Sequence, residues 1–195
     1  MRISGGVLKG RTLRVSGSER FRPTTDRVRQ AIFNILGPGV IESSVLDLYA
    51  GTGSLGIEAL SRGARRAWFV ERDGRKTFAL RETLKIFGLA GQSEIVRSPV
   101  ERFLTTCFES FDLILADPPY ETPDEQITGL LHIVASGTVL APDGMILLER
   151  GWVKGTRVVP ENLAVRDERT YGRTTVIFYE RKNHEEKDMR LPGDF

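Results

Sequence analysis

The stretch that most constrains the fold covers residues 45–60, with the sequence VLDLYAGTGSLGIEAL. Its first part is almost continuously apolar or aromatic, which is typical of a parallel strand covered on both faces. Gly51 and Gly53 permit a turn with positive φ and a close approach of the backbone to a ligand, and Gly56 permits tight packing of a following helix. The sequence therefore predicts a buried strand, a glycine turn and a helix.

The glycine spacing formally matches the dinucleotide pattern G-x-G-x-x-G, which is a weak signal when it stands alone. Asp47 lies four residues before Gly51, near the predicted carboxyl end of the strand. Two unit charges 4 Å apart interact by roughly 4 kcal/mol at an effective dielectric of about 20, so a carboxylate disfavours a pyrophosphate and favours an ammonium or a sulfonium. The pattern favours S-adenosylmethionine over NAD. The alternative is a glycine turn that closes a βα unit without binding a ligand.

Composition indicates one ordinary globular unit. The chain has 195 residues, of which 40% are hydrophobic and 28% charged, enough for one α/β domain with a sizeable core. No apolar run is long enough to span a bilayer and the first residues lack a signal-peptide core, so we predict a cytoplasmic protein. Cys107 is the single cysteine and there are two histidines, which excludes an internal disulfide and argues against a metal site. We expect a monomer without a metal.

The net charge of +2 is unevenly distributed. Residues 1–30 carry eight basic and two acidic residues, a net charge of +6, which leaves −4 for the rest of the chain. A basic segment on a mildly acidic body indicates a polyanionic partner; the alternative is a solvated terminus without a partner. We predict residues 1–20 as a basic β-hairpin arm that projects from the body. The candidate RNA-binding residues are Arg2, Lys9, Arg11, Arg14, Arg20 and Arg22.

Strands and helices alternate along the rest of the chain. Predicted strands lie at residues 45–49, 67–71, 94–97, 112–117 and 144–149, followed by a hairpin at 163–179. This order predicts an α/β fold: a Rossmann-like, mostly parallel seven-stranded sheet with an antiparallel C-terminal hairpin and helices on both faces. We assign residues 21–182 to this domain and expect a disordered tail at 183–195.

Two local predictions concern helices. Val28, Ile32 and Ile35 repeat at helical spacing before the breaker at residues 37–39, so all three should face the core; Thr24 or Thr25 should cap that helix. Residues 122–125, with the sequence TPDE, predict a capping box with proline at the first helical position.

Acidic and hydroxyl side chains follow the predicted strands at one edge of the sheet. Glu71 ends the second strand about twenty residues beyond the glycine turn, where a carboxylate accepts hydrogen bonds from a ribose diol. Both S-adenosylmethionine and NAD would use it. Ser98 ends the third strand at the depth of an adenine edge, although a turn-forming serine fits equally well.

The DPPY motif (residues 117–120: Asp117, Pro118, Pro119 and Tyr120) follows the fourth strand. Two prolines fix φ twice and carry no N–H, so the nearby carbonyls can be aimed outward as rigid acceptors. If Asp117 and the Pro118 carbonyl accept both N–H groups of an exocyclic amine, its lone pair points at the methyl donor. Such orientation can supply roughly 7 to 11 kcal/mol. Tyr120 offers a ring for stacking, worth about 1 to 3 kcal/mol per base. The alternative is a simple turn between strand and helix.

Together, residues 47–56 and the DPPY motif resemble the class I S-adenosylmethionine-dependent amino-methyltransferases. The sequence RPTTDRVR at 22–29, Phe33-Asn34, and the pattern G-G-x-x-x-G-R-x-L at 5–13 resemble the RsmD family, which methylates N2 of a guanine in 16S ribosomal RNA. The similarity covers roughly residues 1–182.

This resemblance implies that the DPPY motif holds the target amine, that Asp47, Gly51 and Gly53 contact the methionine part of the cofactor, and that Glu71 holds the ribose. Tyr49, Arg72, Ser98 and Asp117 complete the implied cofactor site. Ser98 departs from the acidic residue frequent at this position in related methyltransferases. The implied cofactor is S-adenosylmethionine, with S-adenosylhomocysteine as product, and the implied partner is 16S rRNA, free or within a small-subunit assembly intermediate.

Three other functions compete with this one. An adenine-N6 methyltransferase acting on DNA or RNA would use the same DPPY motif. The short basic arm is too small for a dedicated DNA-reading domain, whereas folded RNA supplies its own shape. A nicotinamide oxidoreductase would use the glycine turn, and a non-catalytic RNA-binding module would use the basic arm and leave the DPPY motif without a role.

Overall fold

The structure, a computed structural model, describes residues 1–13, 26–151 and 159–182. Its α-helices are α1 (Asp26–Leu36), α2 (Ser54–Ser61), α3 (Gly74–Ile86), α4 (Val100–Thr106) and α5 (Asp124–Ser136). Its strands are β1 (Ser44–Leu48), β2 (Arg66–Glu71), β3 (Ser93–Arg97), β4 (Phe111–Ala116), β5 (Leu140–Gly151), β6 (Leu163–Tyr171) and β7 (Thr174–Arg181). Short 3₁₀ turns occupy Gly37–Val40 and Ala90–Gln92.

The strands form one seven-stranded sheet in the order β3-β2-β1-β4-β5-β7-β6. Strands β1 to β5 are mutually parallel, and β7 pairs antiparallel with both β5 and β6. The predicted fold is therefore confirmed. Leu48 lies opposite Val70 on one side and Ala116 on the other, so the carboxyl ends of β1, β2 and β4 meet at one edge.

Apolar residues cover both faces of the sheet. All five residues of β1 are buried, as a central parallel strand requires. Because side chains alternate along a strand, Val45 joins the core under α1, α2 and α3, and Leu46 joins the core under α4 and α5.

Helix α1 buries a face that is shifted from the predicted one. Val28 and Ile32 are buried as expected, but Ile35 is 40% exposed, and Arg29 and Phe33 are buried instead. At 3.6 residues per turn the buried stripe is centred between Arg29 and Ile32, so Ile35 lies at its margin. The expectation for Ile35 is wrong because periodicity alone did not locate the centre of the stripe.

The basic Arg29 is enclosed in the core. Its Nε donates to Glu58 Oε2 at 3.1 Å and its Nη2 donates to Asp26 Oδ1 at 2.9 Å, with none of the Arg29 surface exposed. Burial would raise the pKa of Glu58, but hydrogen bonds from Ser4 and Arg62 and the charge of Arg29 hold that pKa below its usual value. Arg29 therefore contributes to the charge count of residues 1–30 without offering a charge to a partner.

The N-terminal segment 1–13 packs on the body. Its strand pairing is a single antiparallel bridge between Arg2 and Thr12. Three apolar side chains of the segment enter the core: Ile3, Leu8 and Leu13. A Cβ on Gly6 would stand 1.7 Å from the Ser61 carbonyl oxygen, which shows how closely the segment approaches α2. The expectation that this part of the arm projects from the body is wrong. Its apolar side chains are removed from water when they pack on the body, which stabilises the packed arrangement over a projecting one.

Helix α5 begins without the predicted capping box. Pro123 is the N-cap residue, with φ −60° and ψ 150°, and no side chain makes a cap hydrogen bond. The backbone N–H of Gln126 donates to the Pro123 carbonyl at 3.0 Å. Thr122 lies one residue before the cap, so its hydroxyl is out of register with the free N–H groups, and this prediction is wrong.

Some predictions fall outside the described residues: the side chains of Arg14, Arg20 and Arg22, the cap at Thr24 or Thr25, and the tail 183–195. The division into arm, domain and tail stays a prediction. No helix of the described residues is long and apolar enough to cross a membrane.

Candidate active site

The loop after β1 adopts the conformation that the glycines predict. Gly51 has φ 54° and Gly53 has φ 75°, and Gly53 is the N-cap residue of α2. Tyr49 also has a positive φ, of 60°, an uncommon conformation for a non-glycine residue. A Cβ on Gly53 would meet Leu80 Cδ1 at 2.4 Å, so this position requires glycine for space as well as for φ. The loop thus turns sharply at the edge where strands β1 and β2 end.

Gly56 and Asp47 join α2 to β1. A Cβ on Gly56 would lie 2.4 Å from Phe69 Cε1, so the predicted role of this glycine in helix packing is confirmed. Its backbone N–H donates to Asp47 Oδ2 at 2.9 Å. Asp47 is 2% exposed, so its carboxyl group lies beneath the glycine loop.

Burial changes the acidity of Asp47. Desolvation raises its pKa to about 8; the Gly56 N–H lowers it in part, and the neighbouring charge of Glu71 raises it. An Asp with a raised pKa favours the folded state most at low pH, and this contribution is lost as pH rises towards 8. A bound cation would favour the ionised form, because opposite charges attract strongly in a site of low dielectric.

Glu71 connects the glycine loop to the start of α3. Its Oε2 accepts from the Gly51 N–H at 3.0 Å and its Oε1 accepts from the Asp73 N–H at 2.8 Å. A carboxylate has about four acceptor sites, so these two bonds leave capacity for ribose hydroxyls. Asp73 in turn caps α3, accepting from the Arg75 and Lys76 N–H groups.

Arg72 and Ser98 are two other predicted cofactor residues near Glu71. Arg72 is exposed at the same edge. Ser98 donates its backbone N–H to the Glu71 carbonyl at 3.3 Å, while its hydroxyl donates to the Pro99 carbonyl at 3.0 Å. The Ser98 hydroxyl thus takes part in a local turn, and its adenine contact stays a prediction.

The pKa of Tyr49 is raised to about 12. Burial is the largest cause, followed by Glu101, whose carboxylate lies 3.5 Å from the Tyr49 hydroxyl.

The DPPY motif follows β4 directly at this edge. Asp117 is the first residue after Ala116, which pairs with Leu48 of β1. Pro118 is buried and Tyr120 is 49% exposed. A cleft of about 250 Å³ opens beside the motif. It is lined by Pro118, Pro119, Tyr120, Thr122, Ile127, Arg150 and Gly151.

Residues far along the chain position Tyr120. A Cβ on Gly151 would stand 2.7 Å from Tyr120 Cδ1, so the aromatic ring rests against this glycine. The Tyr120 hydroxyl lies 3.3 Å from Thr174 Oγ1. Neither contact was predicted, because Gly151 on β5 and Thr174 on β7 become neighbours of the motif only through sheet pairing. One available signal was that Gly151 lies two residues beyond the predicted strand 144–149, at the ligand-binding edge.

Within the described residues, no group of three or more His, Cys, Asp or Glu side chains could hold a metal ion.

A mostly parallel sheet of this strand order, with a glycine loop after β1, an acidic residue at the end of β2 and a DPPY motif after β4, defines a Rossmann-like class I methyltransferase. The family model described as "Conserved hypothetical protein 95" matches residues 1–180. The chain belongs to this family, the RsmD family, and the resemblance inferred from its motifs is confirmed.

Named relatives and a solved structure agree with this assignment. The "Ribosomal RNA small subunit methyltransferase D" of Escherichia coli K12 is 34% identical over 188 residues, covering 96% of this chain and 93% of the relative. The protein of that name from Haemophilus influenzae is 35% identical over 184 residues, covering 92% and 93%. The solved structure of E. coli yhhF superposes with a TM-score of 0.84 at 32% identity, covering 93% of this chain and 98% of that chain.

Proposed function

We propose that this protein transfers a methyl group from S-adenosylmethionine to the exocyclic N2 amine of a guanine in 16S ribosomal RNA. One observation carries the proposal: the DPPY motif, the glycine loop and Glu71 meet at the adjoining carboxyl ends of β4, β1 and β2. An amine acceptor and a nucleoside-containing donor would thus be held side by side. The names of the relatives support RNA of the small subunit as the substrate.

The glycine loop and Glu71 would hold the cofactor. Glu71 is 8% exposed and already fixed by two backbone N–H groups, which orients its remaining lone pairs for a ribose diol. Gly51 and Gly53 allow the methionine part to approach the backbone. Asp47, beneath the loop, would favour the cationic groups of the cofactor once it is ionised. When bound, the cofactor supplies an electrophilic methyl group.

The DPPY motif would orient the amine. The Asp117 carboxylate and the Pro118 carbonyl accept its two N–H groups, so that the nitrogen lone pair faces the methyl group. The nitrogen loses a proton after it gains the methyl, and the Asp117 carboxylate is the nearest charged acceptor in this arrangement. Tyr120 would stack on the base, and Gly151 sets the position of its ring.

The exposed basic side chains of the N-terminal segment would contact RNA phosphates. Arg2, Lys9 and Arg11 are exposed on the segment that packs against α2, whereas Arg29 is buried and paired. Phosphate contacts of this kind orient a nucleic acid without selecting its sequence. The proposal extends to a cytoplasmic monomer that acts on small-subunit RNA, either free or in an assembly intermediate.

The test is to map methylated nucleosides in ribosomal RNA by mass spectrometry, from cells with and without the gene. We expect one N2-methylguanosine to disappear with the gene. It should return with the wild-type gene but not with Asp117→Asn, which keeps the shape and removes the charge. Asp143→Asn makes the same chemical change at an exposed position near the start of β5 and should restore the methyl group. Unchanged N2-methylguanosine in the deletion strain would contradict the proposal.

Adenine-N6 methylation is the second candidate, because a DPPY motif can hold either exocyclic amine. The same mapping distinguishes the two, since loss of N6-methyladenosine in place of N2-methylguanosine would favour the adenine activity. Transfer of label from the S-adenosylmethionine methyl group, measured against NADH turnover, separates both from a nicotinamide oxidoreductase.

A further inference from the structure

Arg150 lies near the carboxyl end of β5 and lines the cleft beside the DPPY motif. Its side chain is 13% exposed, and its Nη2 donates to Asp124 Oδ1 at 2.5 Å in an ion pair. The residues proposed above for the amine and the cofactor do not include this arginine. A mostly buried arginine side chain thus borders the space into which the base would enter.

We propose that Arg150 recognises the target base as guanine by donating two hydrogen bonds to its O6 and N7 atoms. The inference rests on the proposed function, because it takes guanine N2 to be the amine held by the DPPY motif. A guanidinium presents five N–H donors in a planar fork, and Asp124 occupies one side of it. The pairing of an arginine fork with O6 and N7 is the commonest specific contact to guanine.

The shape of guanine suits this arrangement. N2 belongs to the minor-groove edge of the base, while O6 and N7 belong to the major-groove edge. The cleft is lined by Pro118 of the DPPY motif and also by Arg150. A base that presents N2 to Pro118 and stacks its face on Tyr120 therefore has its O6 and N7 edge available to another residue that lines the cleft.

The ion pair with Asp124 favours a base over a phosphate as the ligand of Arg150. A phosphate would approach the Asp124 carboxylate as well as the guanidinium, and the two like charges repel each other. Carbonyl and ring-nitrogen acceptors carry no net charge and avoid that repulsion. Asp124 also holds the fork in one orientation, which reduces the ordering cost of a bidentate contact.

The test uses the full-length enzyme and small-subunit RNA ligated to carry guanine or 7-deazaguanine at the methylated nucleotide. The analogue keeps N2 and O6 and replaces N7 by a C–H group. Wild-type kcat/KM should fall about 10-fold or more on the analogue, because one hydrogen bond to a charged donor is lost. Arg150→Met should lower kcat/KM on guanine by about 10- to 100-fold and should no longer distinguish the two bases.

Arg150→Lys separates a base contact from a phosphate contact. Lysine keeps the charge but lacks the planar fork, so it should behave like the methionine variant. Full recovery of the rate with lysine would show a phosphate contact and overturn the inference. The double variant Arg150→Met with Asp124→Asn leaves no unpaired carboxylate, and its thermal midpoint and cofactor affinity check that the fold is intact.

The outcomes distinguish a failure of the Arg150 contact from a failure of the proposed function. If the wild-type enzyme methylates guanine N2 but Arg150→Met retains the wild-type preference over 7-deazaguanine, the Arg150 inference is wrong and the proposed function stands. If the wild-type enzyme leaves guanine N2 unmethylated, the proposed function fails and the inference fails with it.

Discussion

Replacing Gly151 by alanine should displace Tyr120 from the position in which it stacks on the target base. The new Cβ would stand 2.7 Å from Tyr120 Cδ1 and 3.2 Å from Cε1, whereas ordinary contacts begin at 3.4 Å. The ring must therefore retreat by about 0.7 Å. Gly151 does not have a left-handed φ, so the substitution adds no backbone strain.

The displacement should cost activity rather than stability. Tyr120 is 49% exposed, so its ring can move towards solvent, and we expect the free energy of unfolding to change by less than about 1 kcal/mol. Base stacking is worth about 1 to 3 kcal/mol, and a misplacement of about 1 Å can cost up to 100-fold in rate. We therefore expect kcat/KM for RNA to fall about 10- to 100-fold while cofactor affinity stays unchanged.

Single-turnover methylation and thermal unfolding measure the two effects. Gly129→Ala is the matched control, because a Cβ at this exposed position on α5 meets nothing within 4 Å. It should keep the wild-type rate and stabilise the helix by up to about 1 kcal/mol. In a Tyr120→Ala background, Gly151→Ala should have no further effect on rate. The same rate loss with and without the tyrosine ring would show that Gly151→Ala does not act through Tyr120.

Four further predictions concern other parts of the site. Asp117→Ala should reduce turnover at least 100-fold with cofactor affinity within a few-fold, because its contact strengthens in the transition state; near-normal kcat would contradict the role of Asp117 in holding the target amine. Glu71→Ala should weaken S-adenosylmethionine and S-adenosylhomocysteine alike by roughly one to two decades, checked by calorimetry. Because Asp47 has a pKa raised to about 8, binding of the cationic cofactor at pH 7 should release a proton from this residue, and affinity should rise as pH increases towards 8. Calorimetry in buffers of different ionisation enthalpy should show that Asp47→Asn loses this component, and an equal proton count in both proteins would argue against the linkage. Replacing Lys9 and Arg11 by alanine should raise KM for RNA and flatten the slope of log K against log salt by up to about two units; equal slopes would remove both from the RNA contact.

The strand-end residues were predictable because their signals are local. A buried apolar run, a glycine turn and a helix follow one another within residues 45–60, and the observed φ of Gly51 and Gly53 confirms the predicted turn. In a parallel sheet the carboxyl ends of neighbouring strands share an edge, so Glu71 and the DPPY motif could be placed near that turn without coordinates. The alternation of strands and helices was enough to predict the sheet.

The sequence did not show which residues of α1 are buried, because burial depends on how the helix packs on the rest of the fold. Periodicity placed Ile35 in the core, but the buried stripe of α1 is centred nearer Arg29, whose charge is neutralised by Glu58 and Asp26. Charge counting included Arg29 in the net charge of +6 for residues 1–30. Only the packed structure shows which charged side chains are enclosed.

Local sequence was therefore enough to predict the order of the strands along the chain, the conformation of the glycine turn and the groups at the strand ends, since each depends on neighbouring residues. The surroundings of those groups depend on how the sheet and helices pack. Gly151 limits the position of Tyr120, Asp124 holds Arg150 at the cleft, and burial raises the pKa of Asp47 to about 8. The physical reason is that steric contact, ion pairing and desolvation depend on distance in space, which residues remote in sequence acquire only when the sheet is assembled.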